Sequence, residues 1–337
     1  MRRYRFQIAP KPVIRYNVSP PSTFNHASLM DWNLLTIQLL NGLQLGLLLF
    51  LLAAGLTLIF GIMDFINLSH GSFYMIGAYF CASLVSLTGS LILSAVLAVI
   101  GVLLIGALVE MLIARRLYRN DHLDHVLVTF GLILCFDTLV HMIWGADGMT
   151  IPLPNILEGQ VTVGNIVIPS YRLVIICSGL LVAIGLYFLV NKTRLGMLIR
   201  AGASNRTMVT ALGVNIDKLY MIVFAIGAAM AGFAGLLIAP ITEASVGMGN
   251  EIIIIAFVVV IVGGIGSVKG AFYSALIIGL IDTLGRSYLD DLLKLVMSTE
   301  YAETAAPALS AMMVYILMAA ILAFKPSGLF PPGSAKR

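Results

Sequence analysis

Charge is what this sequence has least of. Only 11% of its 337 residues are charged, against about 25% in an ordinary soluble chain, while 60% are hydrophobic and the mean hydropathy is +1.01. One globular core cannot hide that apolar excess, which excludes soluble enzymes, nucleic-acid-binding proteins and disordered scaffolds. Cysteine is also scarce. Cys81, Cys135 and Cys177 lie in apolar runs, are odd in number and form no CxxC or Cys/His pattern, so neither a disulfide framework nor a zinc site is expected. No run alternates with a period of two, which argues against a barrel and leaves helices as the structures able to satisfy their own backbone groups in hydrocarbon. Nucleotide loops are missing as well: in Gly263-Gly264-Ile-Gly266-Ser267-Val-Lys269-Gly270 a lysine stands where the dinucleotide fingerprint needs its third glycine. HExxH, Gly-x-Ser-x-Gly and paired-carboxylate signatures are likewise absent, so no enzymatic activity and no cofactor of its own is expected.

What is present is a series of apolar segments at about 34–60, 71–88, 91–113, 126–144, 173–190, 219–239, 252–268, 270–287 and 307–324. Most approach the roughly 20 residues a bilayer demands. The expected fold is therefore all-α, a polytopic transmembrane bundle of eight or nine segments over 31–330, with a discontinuous helix near 61–75 and a short tail at 331–337. Residues 1–30 are polar and broken by Pro10, Pro12, Pro20 and Pro21; they read as a disordered tail, or as an over-extended translation start with Met30 as the true one.

Basic residues set the expected orientation. Arg115, Arg116 and Arg119, then Lys192, Arg194, Arg200, Arg206 and Lys218, then Lys325, Lys336 and Arg337 place the 114–125 loop, the 191–218 loop and the C-terminus in the cytoplasm. Asp147 and Glu158, and later Asp290, Asp291, Glu300 and Glu303, place 145–172 and 286–304 outside. Three apolar segments before Arg115 leave the basic tail outside unless a stretch near 61–75 fails to span. The second alternative is preferred, because Asp64, Asn67, Ser69, His70 and Gly71 interrupt the hydrocarbon there.

That interruption is also the first candidate site. Ionisable and amide groups are expensive in lipid, and they persist where they line a wet cavity or pair with other protein groups. Asp64, Asn67, Ser69, His70 and Gly71 read either as a pathway element in a broken helix or as an interfacial turn. Gly263, Gly264 and Gly266 read as a tight hairpin, with Lys269 reaching the phosphate level. Gly227, Ala231 and Gly235 are spaced for close helix packing. Asp137 with His141, and Asp282 with Arg286, are i, i+4 neighbours read as mutually satisfied pairs, the first alternatively as a proton relay. Gln38, Asn41 and Gln44 form a polar stripe assigned to the inner end of the first segment. His122 and His125 imitate metal ligands, but no second cluster accompanies them.

The 191–218 loop carries a different signal. Ser204 is placed to cap a short helix, Met208, Val209 and Leu212 give it an apolar face, and Gly213 supplies a left-handed stop. A sticky helix outside the membrane needs a protein partner, or else lies on the bilayer with help from Arg200 and Arg206.

Gly61–Gly77, the loop Arg200-Ala201 through Asn205, Ala211 and Gly213, the Gly263-Gly264-Ile-Gly266-Ser267 turn with Gly270, and the ending Lys325-Pro-Ser-Gly328-Leu-Phe330 resemble the LivH-type permeases of bacterial branched-chain amino acid ABC importers. The resemblance covers about 33–330. It implies an inner-membrane permease that moves branched-chain or related small neutral amino acids inward by alternating access and pairs with a LivM-type second permease. Two cytoplasmic ATPases, which alone use ATP, and a periplasmic substrate-binding protein complete the expected assembly. By the same resemblance the short helix is a coupling helix, with Arg200, Ala201, Asn205, Ala211 and Gly213 carried over and Met208 and Leu212 on its docking face, and the Gly61–Gly71 stretch and Gly263, Gly264 and Gly266 are structural or translocation-pathway elements. Similar permeases are associated with urea and short amides. An ion-coupled secondary transporter using Asp64, His70, Asp137 or His141 is the competing reading.

Overall fold

The computed structural model describes residues 32–164 and 166–330; the tail at 1–30 and the ends Lys336 and Arg337 lie outside the described residues. Helix α1 (Trp32–Met63) is followed by α2 (His70–Thr88) and α3 (Leu91–Val109), which passes through a π turn at Glu110–Ala114 into the single turn α4 (Arg115–Leu117). Helix α5 (His122–Trp144) leads to a two-stranded antiparallel hairpin, β1 (Gln160–Val163) and β2 (Ile166–Pro169), a local element the sequence reading did not anticipate. Then come α6 (Ser170–Lys192), α7 (Arg194–Ser204), α8 (Arg206–Ala211), α9 (Ile216–Thr242), α10 (Met248–Gly263), α11 (Val268–Leu293) and α12 (Thr299–Phe324). Among the described residues eight helices are long and apolar enough to cross a membrane, and α10, at 16 residues, is a shorter ninth.

Local chemistry sets these boundaries. Asn215 and Ser267 accept the Lys218 and Gly270 amides and so cap α9 and α11, and Gly89, with φ 67°, ends α2. Helix α1 is the axis of the bundle: residues from Leu47 through Leu56 are almost wholly buried, which only a central helix surrounded by others achieves. Its neighbours approach through small residues. Gly227 of α9 meets Gly55 of α1, and a Cβ on Gly77 of α2 would overlap the backbone of Gly232, as a side chain on Gly235 would overlap the Tyr74 carbonyl. Such contact replaces the hydrophobic drive that lipid removes. Exposed Leu, Ile and Phe on α3, α5, α6 and α12 form the outer, lipid-compatible ring.

The bundle has two chemically distinct ends. At one, Asp64 meets His122, Ile62 of α1 meets Gly202 of α7, Arg206 lies over Tyr220, and the 263–270 turn receives the chain at Leu329 and Phe330. The predicted basic loops all gather here. The opposite end holds the β-hairpin, Trp144 and the acidic 286–304 segment.

Two expectations are corrected. Helix α1 packs antiparallel on α11, Gly42 against Leu280 and Gly46 against Leu276, so its first residues, with Gln38, Asn41 and Gln44, lie at the hairpin end and not the basic end. The break is real and lies between Met63 and His70, but it does not prevent spanning. Helix α2 starts inside the bundle and runs to the hairpin end, where the Trp144 indole donates to Ser83 at 2.6 Å. The first three segments therefore alternate without conflict, with the beginning of α1 at the hairpin end.

Candidate functional site

Between α1 and α2 the chain turns back into the bundle. Asp64, with φ 53°, closes α1; its side chain is 74% exposed and 3.7 Å from the His122 Nε2. It belongs to the surface, not to the buried cluster expected to contain it. Phe65 plugs inward against Tyr118, His125 and Phe224. The Leu68 amide donates to Thr129 Oγ1 at 3.2 Å, and Ser69 Oγ donates to Asn67 Oδ1 at 2.7 Å. His70 opens α2 with its imidazole against Gly55 of α1, and Gly71 touches the backbone of Gly249, so the first turns of α2 and α10 meet inside the protein. Asn67, Ser69 and His70 are fully buried, and Asn67 Nδ2 and Ser72 Oγ have no hydrogen-bond partner among the described residues. An unmet buried polar group costs about 1–3 kcal/mol, so this joint keeps polar capacity that packing alone does not require.

Gly263, Gly264 and Gly266 form a different joint at the basic end. Gly264 (φ 102°) and Gly266 (φ 81°) turn the chain, and Leu329 and Phe330 donate their amides to the Val262 and Gly263 carbonyls at 2.8 and 3.0 Å. Lys269 Nζ stands 5.4 Å from the centroid of the Phe330 ring. The turn thus cradles the chain's last described residues.

A cavity of about 590 Å³ lies where α1, α2, α9, α10 and α11 converge toward the hairpin end. Leu45, Leu48, Tyr74 and Ile252 line its apolar wall, while Glu251 and Arg286 also face it. The expected Asp282–Arg286 pair is present, with Nε and Nη2 donating at 2.9 and 3.0 Å. Asp137 departs from its expected pairing with His141: it accepts from Asn250 of α10 at 2.9 Å. Sequence reasoning missed Glu251, whose signal is a lone acid in the first turn of the shortest apolar helix. His122 stands 3.7 Å from the Asp64 carboxylate, and its ring lies 5.6 Å from that of His125.

At the basic end, Thr193 caps α7 and Asn205, not Ser204, caps α8, accepting from the Met208 amide at 2.9 Å. Gly213 has the expected left-handed backbone, φ 84°. Met208 and Leu212 are 59% and 76% exposed, whereas Val209 is buried in the core, so the outward apolar face is narrower than expected. Arg200, Asn205 and Ala211 are exposed beside it, and Ala201 is partly covered. Arg200 donates to the Val190 carbonyl, and Arg206 stands 5.3 Å from the centroid of the Tyr220 ring.

A family model described as branched-chain amino acid transport system / permease component matches residues 38–322. The chain is 30% identical over 308 residues to the high-affinity branched-chain amino acid transport system permease protein LivH of Escherichia coli, covering 85% of this chain and 94% of that protein. It is 29% identical over 305 residues to the corresponding protein BraD of Pseudomonas aeruginosa, covering 87% and 94%. A probable branched-chain amino acid transport permease protein of Methanocaldococcus jannaschii is 29% identical over 252 residues, covering 72% and 78%. No solved structure matches. The nine apolar helices, the broken entry into α2 and the family match across nearly the whole bundle together show that this chain belongs to the branched-chain amino acid transport system permease family.

Proposed function

We propose that this chain is one permease of an ATP-driven importer that carries branched-chain amino acids into the cytoplasm. A second, LivM-type permease completes the pathway, two cytoplasmic ATPases supply the drive, and a periplasmic binding protein delivers the cargo. The observation that carries this reading is the exposed Met208–Leu212 face at the basic end of a chain of this family. An ion-driven carrier has no use for such a docking face. Asp64 and Asp137, which a proton-coupled mechanism would employ, are instead engaged by His122 and Asn250.

In this mechanism the basic end faces the cytoplasm, as the bias of Lys and Arg demands. ATP binding draws the ATPases together, α7 and α8 transmit that motion to α6 and α9, and the joint formed by α2 and α10 opens alternately to the two sides. Broken helices suit that task, because their free backbone groups serve a polar solute in the middle of the membrane. Reconstitution of the four membrane and ATPase subunits with the binding protein tests the assignment. ATP-dependent accumulation of leucine is the expected result. Accumulation driven by a proton gradient in this chain alone would refute it.

A further inference from the structure

The cavity between α10 and α11 carries one charge, on Glu251, that its depth makes costly, and a second, on Arg286, near its outer edge. Glu251 stands twelve residues before Gly263, which sits at the basic end, so its depth is about 18 Å along α10. Arg286 stands about 27 Å along α11 from Val268 by the same rise. The hydrocarbon layer is about 30 Å thick. Glu251 is nevertheless exposed on the isolated chain and has no ion-pair partner among the described residues. A free carboxylate at that depth is costly against lipid, so this face is one that meets water or another polar group.

We propose that this cavity is a transit site for a zwitterionic amino acid with an apolar side chain, Glu251 receiving the ammonium group and Arg286 the carboxylate. The proposal rests on the importer reading and names residues for it. At about 590 Å³ the space lies within the range of small-molecule sites, about 300–1,000 Å³. Asp282 occupies Nε and Nη2 of Arg286, which leaves Nη1 to donate to a second carboxylate. Helix α10 begins at Met248 in the cavity wall, and the positive end of its dipole adds to Arg286. Together these, about +1.5 charges, nearly offset Glu251 and Asp282 and leave both signs on the wall, so the site suits a solute that carries both charges. Leu45, Leu48, Ile238, Ile252 and Ile255 accept the aliphatic side chain. A cargo with a charged side chain finds no counter-ion on that wall.

The test uses the complex of both permeases and both ATPases in nanodiscs, with radiolabelled leucine as the probe. Valine competes, while isoamylamine and 4-methylpentanoate, each lacking one charged group, compete at least about tenfold less well, because hydrogen bonds to charged groups are worth about tenfold or more each. Glu251→Gln and Arg286→Lys each weaken leucine binding by about tenfold or more, and Glu251→Asp restores most of it. In the complete system their leucine uptake falls in parallel, whereas ATPase stimulation by the loaded binding protein stays within about twofold. A purely structural role would move both readouts, and that result rejects the site. Stronger displacement by glycerophosphoethanolamine than by valine would mark a lipid-headgroup site and also overturn the proposal. Wild-type leucine import with equal import by Glu251→Gln rejects the site alone. Absence of branched-chain amino acid import by the wild type overturns the importer reading and the site together.

Discussion

The network around Glu110 shows how single residues hold the basic end in shape. The π turn brings Glu110 inward to full burial, and its carboxylate accepts from Arg115 Nη2 at 3.0 Å and from Tyr118 OH at 2.7 Å. A buried charge is tolerable only when paired and hydrogen-bonded in this way. Tyr118 in turn anchors Phe65 and Tyr220, linking the break after α1 to α9. Burial, and then the hydrogen bond to Glu110, hold the Tyr118 phenol above its ordinary value. Because the folded value is raised, this stabilisation is complete below the unfolded value of about 10 and declines only at higher pH. Tyr118→Phe is expected to cost about 1.5–3 kcal/mol, the worth of a hydrogen bond to a charged group. The deficit, read as a lower Tm in detergent, stays constant between pH 6 and 9. A deficit that appears only below pH 7 would contradict this account.

At the scale of elements, the six-residue α8 and the small-residue face of α9 make opposite demands. Leu212, at the C-terminal end of α8, is exposed without support from the core, so Leu212→Asp is expected to leave the permease folded, with its Tm unchanged, while co-purified ATPase and leucine uptake fall severalfold. Normal ATPase recovery and normal uptake would show that α8 rests on lipid instead. Gly235 of α9 touches the Tyr74 carbonyl, and Gly235→Leu should destabilise the bundle by at least the 1–3 kcal/mol typical of overpacking, seen as loss of monodisperse protein. The close-packing face of α9 was legible in the sequence because small residues recur every turn, and the apolar segments because the bilayer sets one length. The inward turn of Val209 was not legible, since six residues are too few for a helical period to declare its face. Asp137 found its partner 113 positions away on α10, a distance over which an i, i+4 rule has no force. Adjacency in the sequence groups Asp64 with Asn67 and His70, yet the turn at φ 53° sends it to the surface while the next residues descend.

For the whole molecule, the direction of α1 decides the topology. Antiparallel packing on α11 puts Trp32 at the hairpin end, and the basic loops all lie at the other, so the described chain begins on one side of the membrane and its last helix ends on the opposite side. Among the described residues eight helices are long enough to cross and α10 is a shorter ninth, and on the importer reading proposed above the charge bias assigns the basic end to the cytoplasm. The same arrangement leaves the α10–α11 cavity opening toward the hairpin end, the side from which a binding protein would deliver cargo, while α7 and α8 lie beyond the opposite surface. Single cysteines placed in a background lacking Cys81, Cys135 and Cys177 report each end separately. In intact spheroplasts an impermeant maleimide is expected to label Trp32→Cys and Asn155→Cys, and to label Asn205→Cys only after the membrane is opened. Protection of Trp32→Cys alongside labelling of Asn155→Cys would put the start of α1 on the same side as the basic loops and contradict its antiparallel packing on α11.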